Sequence, residues 1–104
     1  MNISEKHIRI INNILSNHFP EDRIVVFGSR ALGTNKEFSD LDLAIYPKNR
    51  VLTSMDLENA KQDFIESDLP FSVDLVNLKK VDANLKSKIE NEGKDWEAFT
   101  SLPV

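Results

Sequence analysis

Apolar and polar residues alternate along this chain with two different periods, one helical and one extended. Between Ser4 and His18 the apolar residues recur at helical spacing, and Pro20 is expected to close this helix. The nearly unbroken apolar run 23–27 predicts a strand that is buried on both faces. In the segment 40–46 apolar residues occupy every second position, which predicts a strand with one packed face.

Three more elements are predicted in the second half of the chain. Thr53 followed by Asp56 is typical of a capping box at the start of a helix. One apolar stripe of this helix would contain Leu57, Ala60, Phe64 and Ile65. Pro70 marks the entry to a third strand. Asp82 is expected to cap a last helix that carries Leu85 and Ile89 and ends at Gly93.

The order of these elements is helix, strand, strand, helix, strand, helix, which predicts an α/β fold. We expect a small mixed sheet of three strands with helices packed on one side and the other face exposed. The 104 residues are expected to form one domain, residues 1–104. With so few strands, one sheet edge would remain available for a partner or a second copy.

Two carboxylates on the second predicted strand point to metal chemistry. Asp40 and Asp42 are two residues apart, so both side chains should lie on the same face, roughly 6.5 to 7 Å apart. Carboxylates at that spacing could converge on two ions about 3.5 to 4 Å from each other. Such hard oxygen ligands favour Mg²⁺, with Mn²⁺ as the other fitting ion. With no Cys and only two His in the chain, a soft-ligand site is disfavoured.

A turn that could bind phosphate follows the first predicted strand. Gly28 permits a tight turn, and a short helix from Ser29 to Gly33 would direct its free N–H groups and the Ser29 hydroxyl at an anion. A strand followed by Gly-Ser is also a common turn without any ligand. Asp74 adds weight to a functional interpretation, because a lone carboxylate in an apolar strand would be costly to bury unpaired.

These motifs together resemble a known signature. Gly28-Ser29, a gap of ten residues, Asp40-Leu41-Asp42 and the later Val73-Asp74-Leu75-Val76 look like the pattern of the DNA polymerase β-type nucleotidyltransferase superfamily. Within it, the strings 27–33 and 39–44 are most similar to the minimal nucleotidyltransferases. These are small prokaryotic domains that are commonly encoded beside a helical HEPN-type protein.

The resemblance implies roles for individual residues. Gly28 and Ser29 would hold the triphosphate of ATP, and Asp40 and Asp42 would ligate two Mg²⁺ ions. Asp74 would join the ion nearer the attacking hydroxyl and take its proton.

Arg30 is the nearest cation to this predicted site. It is a candidate for binding the nucleotide, with an ordinary solvated helix residue as the equally weighted alternative. Leu32 departs from the pattern, because many minimal members carry a second Arg there.

The function implied is transfer of AMP from ATP to a hydroxyl with release of pyrophosphate. The suggested acceptor is a tyrosine on a HEPN-type toxin, which would make this chain the antitoxin in a hetero-oligomer. The alternative belongs to another class: a non-catalytic nucleotide-binding module that neutralises or completes a partner protein by stoichiometric binding.

Charge and hydropathy restrict the partners further. A net charge of −4 and the absence of a basic stripe disfavour a nucleic-acid partner. No apolar segment is long enough for a membrane span and no secretion signal is visible, so a cytoplasmic location is expected. His7 and His18 are interpreted as structural or solvated residues. Trp96 is expected to dock in the core of the chain, with an anchor for a partner as the alternative.

Overall fold

The computed structural model describes residues 3–101. The terminal residues 1–2 and 102–104, which the predicted domain includes, lie outside the described residues. Within the described part the elements are α1 (Glu5–His18), β1 (Arg23–Phe27), α2 (Gly28–Leu32), β2 (Leu41–Tyr46), α3 (Ser54–Ile65), β3 (Val73–Asn77), α4 (Ala83–Glu92), β4 (Lys94–Asp95) and α5 (Trp96–Thr100).

The strands form one mixed sheet in the order β3-β2-β1-β4. β2 runs antiparallel to β1 and parallel to β3, which confirms the predicted mixed sheet. The prediction of three strands is wrong, because β4 pairs antiparallel with β1 through Val25 and Val26. A strand of two residues carries no periodicity and therefore leaves no pattern in the sequence.

One face of the sheet is closed by α1, α3 and α5. Its strands contribute every second residue to the main core, in which Leu41, Leu43 and Ile45 are fully buried. The helices contribute the other half of this core, including Ile11, Ile14, Leu15, Ala60, Phe64 and Trp96. The predicted docking of Trp96 is confirmed, and its indole Nε1 donates to Asn12 Oδ1 at 2.7 Å.

The opposite face is covered only in part. A smaller apolar cluster there contains Val25, Phe27, Ala44, Leu78 and Ile89. Ile89 lies on α4, so this helix packs on the face that the sequence analysis expected to be free of helices. The composition of β1 explains why α4 packs there. Successive residues of a strand point to opposite faces, so a strand that is apolar at nearly every position needs cover on both sides.

Most of the predicted helix ends are confirmed. The Thr53–Asp56 capping box is present, and Asp82 accepts from the Leu85 backbone N–H. One member of the predicted apolar stripe on α3 is misplaced, since Ile65 is 75% exposed. His18 contacts the Asp63 carboxylate and so joins α1 to α3. None of the helices described is both long and apolar enough to cross a membrane.

Candidate active site

The candidate site lies on the partly covered face, around the middle of the sheet. Asp42 is on β2 between Leu41 and Leu43, and side-chain alternation turns it away from the main core in which both leucines are buried. Asp40 precedes the first residue of β2 and is exposed, so the strand begins one residue later than predicted. Asp40 is nevertheless close enough for its charge to raise the pKa of Asp42.

Sheet register brings the third carboxylate beside the second. Asp42 pairs with Asp74 on the parallel strand β3 and with Phe27 on the antiparallel strand β1. Neighbouring strands are about 4.8 Å apart, so these side chains are direct neighbours across the sheet. Asp74 is exposed, which makes the expectation that it would be a buried charge wrong. Its position next to Asp42 follows from the pairing of β2 with β3.

Gly28 places the turn after β1 directly against Asp42. Its φ of +74° lies in the left-handed region that glycine adopts without strain. A Cβ added to Gly28 would lie 2.3 Å from Asp42 Oδ2, so any larger residue would displace that carboxylate. Glycine is required here for its backbone conformation and also for the close approach.

The short helix predicted after this turn is present as α2. It begins one residue earlier than expected, at Gly28, and it ends at Gly33, which has a φ of +75°. Phe27, the residue before the helix, has no side-chain acceptor to cap the first backbone N–H groups. Ser29 is half-buried in the first turn of α2, directly after Gly28.

The Asp42 carboxylate lies within electrostatic reach of Asp74 and Asp40. Burial raises the pKa of Asp42, and the neighbouring charges of Asp74 and Asp40 raise that pKa further. Among the described residues no three His, Cys, Asp or Glu side chains already converge on one point that could hold a metal ion. The donors are hard oxygens, and a cation would relieve the charge crowding that raises the Asp42 pKa, so the residues fit Mg²⁺ or Mn²⁺.

Arg30 is buried beside the loop that leads to Asp40. It is 1% exposed, so the prediction of a solvated helix residue is wrong. Its guanidinium donates to the backbone carbonyls of Glu37 and Ser39 and lies over the ring of Phe71. Phe71 was missed in the sequence, since no local pattern connects an aromatic residue before the third strand with a cation that lies 41 positions earlier.

The fold and this site define a nucleotidyltransferase domain, and the chain belongs to the family described as polymerase beta, nucleotidyltransferase, whose sequence profile matches residues 9–95. That match includes the turn after β1 and all three carboxylates. The resemblance drawn from the sequence motifs is thereby confirmed.

Individual relatives are consistent with this family. The chain is 38% identical over 77 residues to a probable protein adenylyltransferase, MntA, of Haemophilus influenzae, covering 74% of this chain and 67% of the relative. It is also similar to one chain of a toxin–antitoxin crystal structure with AMP-PNP, with 28% identity, a TM-score of 0.70, and coverage of 84% of this chain and 69% of that chain.

A mutant of the MntA–HpeT toxin–antitoxin complex is a further structural relative. It is 26% identical, with a TM-score of 0.69, and the match covers 89% of this chain and 71% of that chain.

Proposed function

We propose that this chain is a Mg²⁺-dependent protein adenylyltransferase that moves AMP from ATP to a tyrosine hydroxyl on a HEPN-type partner and thereby silences it as an antitoxin. The observation that carries the proposal is the close approach of Asp42 to Gly28, at which an added Cβ would meet the Asp42 carboxylate, together with the pairing of Asp42 with Asp74 in the sheet. The turn that would bind the phosphates therefore lies directly beside the carboxylates that would hold the metal.

In this proposal the described residues have distinct roles. The backbone at Gly28 and the Ser29 hydroxyl would bind the triphosphate, and Asp40, Asp42 and Asp74 would hold the metal. Bound Mg²⁺ would supply charge neutralisation at the phosphates and would favour the ionised form of the acceptor hydroxyl. The pKa of Asp42 is raised without a cation. A bound cation would lower that pKa and so keep Asp42 in its carboxylate form.

The transfer itself is an in-line displacement at the α-phosphorus. The acceptor oxygen forms a bond to phosphorus, and the bond from phosphorus to the bridging oxygen breaks, so that pyrophosphate leaves. A carboxylate oxygen of Asp74 takes the acceptor proton, since this side chain is exposed beside Asp42 and open to an incoming residue.

A protein as the acceptor is proposed from the relatives, and the HEPN type of this partner and its tyrosine are proposed from the resemblance to the minimal nucleotidyltransferases. The Haemophilus relative is named a probable protein adenylyltransferase, and the two structural relatives are toxin–antitoxin complexes, one of them with an ATP analogue. An acceptor brought by a second protein also fits the open form of the site, in which Asp40 and Asp74 are exposed. We place the reaction in the cytoplasm, where ATP and such a partner would meet, with residues 1–104 acting as one domain.

The test is transfer of label from α-labelled ATP in the presence of Mg²⁺ to the product of the neighbouring gene. Wild-type protein and the Asp42→Asn variant are compared under identical conditions. We expect label on a tyrosine of the partner with the wild type and none with the variant. Binding of the partner without any label from ATP or from other nucleoside triphosphates would instead support stoichiometric neutralisation.

A further inference from the structure

Arg30 connects three segments that meet at the candidate site. It follows Ser29 in α2, yet its side chain is 1% exposed and directed into the protein. Burying a guanidinium costs free energy unless its N–H groups have acceptors. The identity of these acceptors therefore indicates what the side chain does.

The first contacts of Arg30 are with the loop between α2 and β2. Nε and Nη2 donate to the Ser39 carbonyl at 3.0 and 2.8 Å, and Nη2 also donates to the Glu37 carbonyl at 3.1 Å. Hydrogen bonds from a charged donor are about twice as strong as neutral ones. Ser39 directly precedes Asp40, so the guanidinium fixes the backbone from which this carboxylate extends.

The second contact is with the segment that leads into β3. The Arg30 guanidinium carbon lies 4.3 Å from the centroid of the Phe71 ring, a cation–π arrangement. Phe71 is followed by Ser72, whose carbonyl accepts a 2.9 Å hydrogen bond from the Leu41 backbone N–H. The entries of β2 and β3, which carry Asp42 and Asp74, are therefore joined to each other and to Arg30.

These contacts require the shape of arginine as well as its charge. A guanidinium offers donors in one plane and a flat face for the ring, whereas the ammonium group of lysine is a compact point charge. A lysine Nζ could bond both carbonyls, as Arg30 Nη2 does, but it would lack the second donor, Nε, and the flat face that lies over the Phe71 ring.

We propose that Arg30 is a positioning residue that holds the loop 37–39, and with it Asp40, in place relative to the turn at Gly28 and to Asp74. It acts through the backbone and does not contact the nucleotide. A single side chain next to the turn at Gly28 thus fixes the distance between that turn and the carboxylates that would bind the metal.

The first test is independent of catalysis. Arg30→Met, Arg30→Lys and wild-type protein are compared by hydrogen exchange of the amides in 37–41 and by Mn²⁺ titration of the purified chain. We expect amide exchange in this loop to be about 10-fold faster and Mn²⁺ affinity to be about 10- to 100-fold weaker in both variants, as for other residues that support metal ligands. Arg9→Met is the matched control, because Arg9 is exposed and pairs only locally with Glu5.

A second variant guards against misfolding. Phe71→Leu removes the ring and keeps the position apolar. It should also speed amide exchange in the loop and weaken Mn²⁺ binding, but by smaller factors than the Arg30 variants. If Arg30→Met does not fold, Arg30→Lys and Phe71→Leu carry the comparison. Unchanged loop exchange and unchanged Mn²⁺ affinity in folded variants, with only a lower melting temperature, would mean a merely structural role and would overturn the inference.

The activity measurement rests on the proposed function and separates positioning from nucleotide binding. Positioning predicts a kcat about 10-fold lower, partly restored by higher metal concentration, with little change in KM for ATP. A raised KM with normal Mn²⁺ affinity would identify a nucleotide contact and overturn the proposal. If the wild type transfers no label while the exchange and Mn²⁺ results hold, the proposed function fails and the positioning role of Arg30 stands.

Discussion

The two faces of strand β2 have opposite character. On one face Leu41, Leu43 and Ile45 are 0% exposed in the main core. On the other face Asp42 is half-buried among like charges, and burial and its neighbours raise its pKa. Residues only one position apart thus serve opposite purposes, because adjacent side chains on a strand point to opposite sides.

The comparison shows where this fold is stabilised and where it is not. Burial of apolar side chains contributes roughly 1.5 to 3 kcal/mol for each large residue on the closed face. Crowded carboxylates on the other face oppose folding unless a cation compensates them. The fold therefore keeps in place a charged row that is unfavourable by itself, which is typical of a functional site.

The largest expected effect concerns Asp42. Replacing it by asparagine keeps the size of the side chain and removes the charge, so transfer activity should fall by about 1,000-fold, equal to about 4 kcal/mol of transition-state stabilisation. Labelled transfer to the partner measures the loss. The circular dichroism spectrum should remain that of the wild type, because Asp42 contributes no apolar contact to the main core.

A matched control separates this effect from a general change of charge. Asp68→Asn removes the same charge from an exposed residue in the segment between α3 and β3, and its activity should equal that of the wild type. Equal losses in both variants would refute the specific role of Asp42.

The neighbouring residue should respond in the opposite way. Leu43→Ala leaves a cavity in the main core, where Leu43 is 0% exposed, and should lower the free energy of unfolding by about 2 to 5 kcal/mol. Urea denaturation measures this change. Activity for each folded molecule should be retained at low temperature. A Leu43→Ala variant with unchanged stability would contradict the assignment of the closed face.

Two glycines with nearly the same backbone conformation allow a third comparison. Gly28 and Gly33 have φ values of +74° and +75°, so alanine at either position should cost about 1 to 2 kcal/mol of stability through backbone strain. A Cβ at Gly28 meets Asp42 Oδ2 at 2.3 Å, whereas a Cβ at Gly33 has nothing within 4 Å. Gly28→Ala alone should therefore reduce transfer, by about 10-fold or more.

Thermal unfolding measures the stability of the Gly28→Ala and Gly33→Ala variants, and labelled transfer measures their activity. Similar stability losses together with unequal activity losses are expected. Equal activity in the two variants would mean that the contact between Gly28 and Asp42 has no part in the reaction.

Sequence alone predicted the parts of the site that depend on short-range pattern. The strand Arg23–Phe27, the turn at Gly28 and the alternation around Asp42 each follow from a few consecutive residues. The capping residues Thr53 and Asp82 were predicted for the same reason, since a cap bonds to the backbone two or three residues away.

The features that were missed depend on distant contacts. Arg30 looks like a surface residue in its own helix, and its burial follows from carbonyls in the next loop and from Phe71. Ile65 fits the helical spacing of α3, yet as the last residue of that helix it is exposed. The pairing of β4 with β1 likewise follows from the path of the chain after α4, which no local pattern encodes.

The smallest expected effect is on stability, and it tests the charged face directly. The pKa of Asp42 is raised above its ordinary value of 3.8, so the folded protein binds this proton more tightly than the unfolded chain does. The contribution of this group to stability is therefore most favourable at low pH, and it is lost as the pH rises from 3.8 through the raised folded value. Asparagine does not titrate, so Asp42→Asn lacks this change.

As the pH rises from 4, the free energy of unfolding of the wild type should therefore fall relative to that of Asp42→Asn. Near neutral pH the difference between the two proteins should become constant. Urea titrations between pH 4 and pH 7 without divalent cations measure the difference, in which the titrations of other groups largely cancel. Added Mg²⁺ should reverse the order, because an ion that binds the folded carboxylates stabilises the wild type more than the variant. A wild type that gains stability over Asp42→Asn as the pH rises would mean that the Asp42 carboxylate is stabilised by donors in the fold. The two faces of β2 would then differ only in polarity. The carboxylates would not destabilise the fold, and no cation would be needed to compensate them.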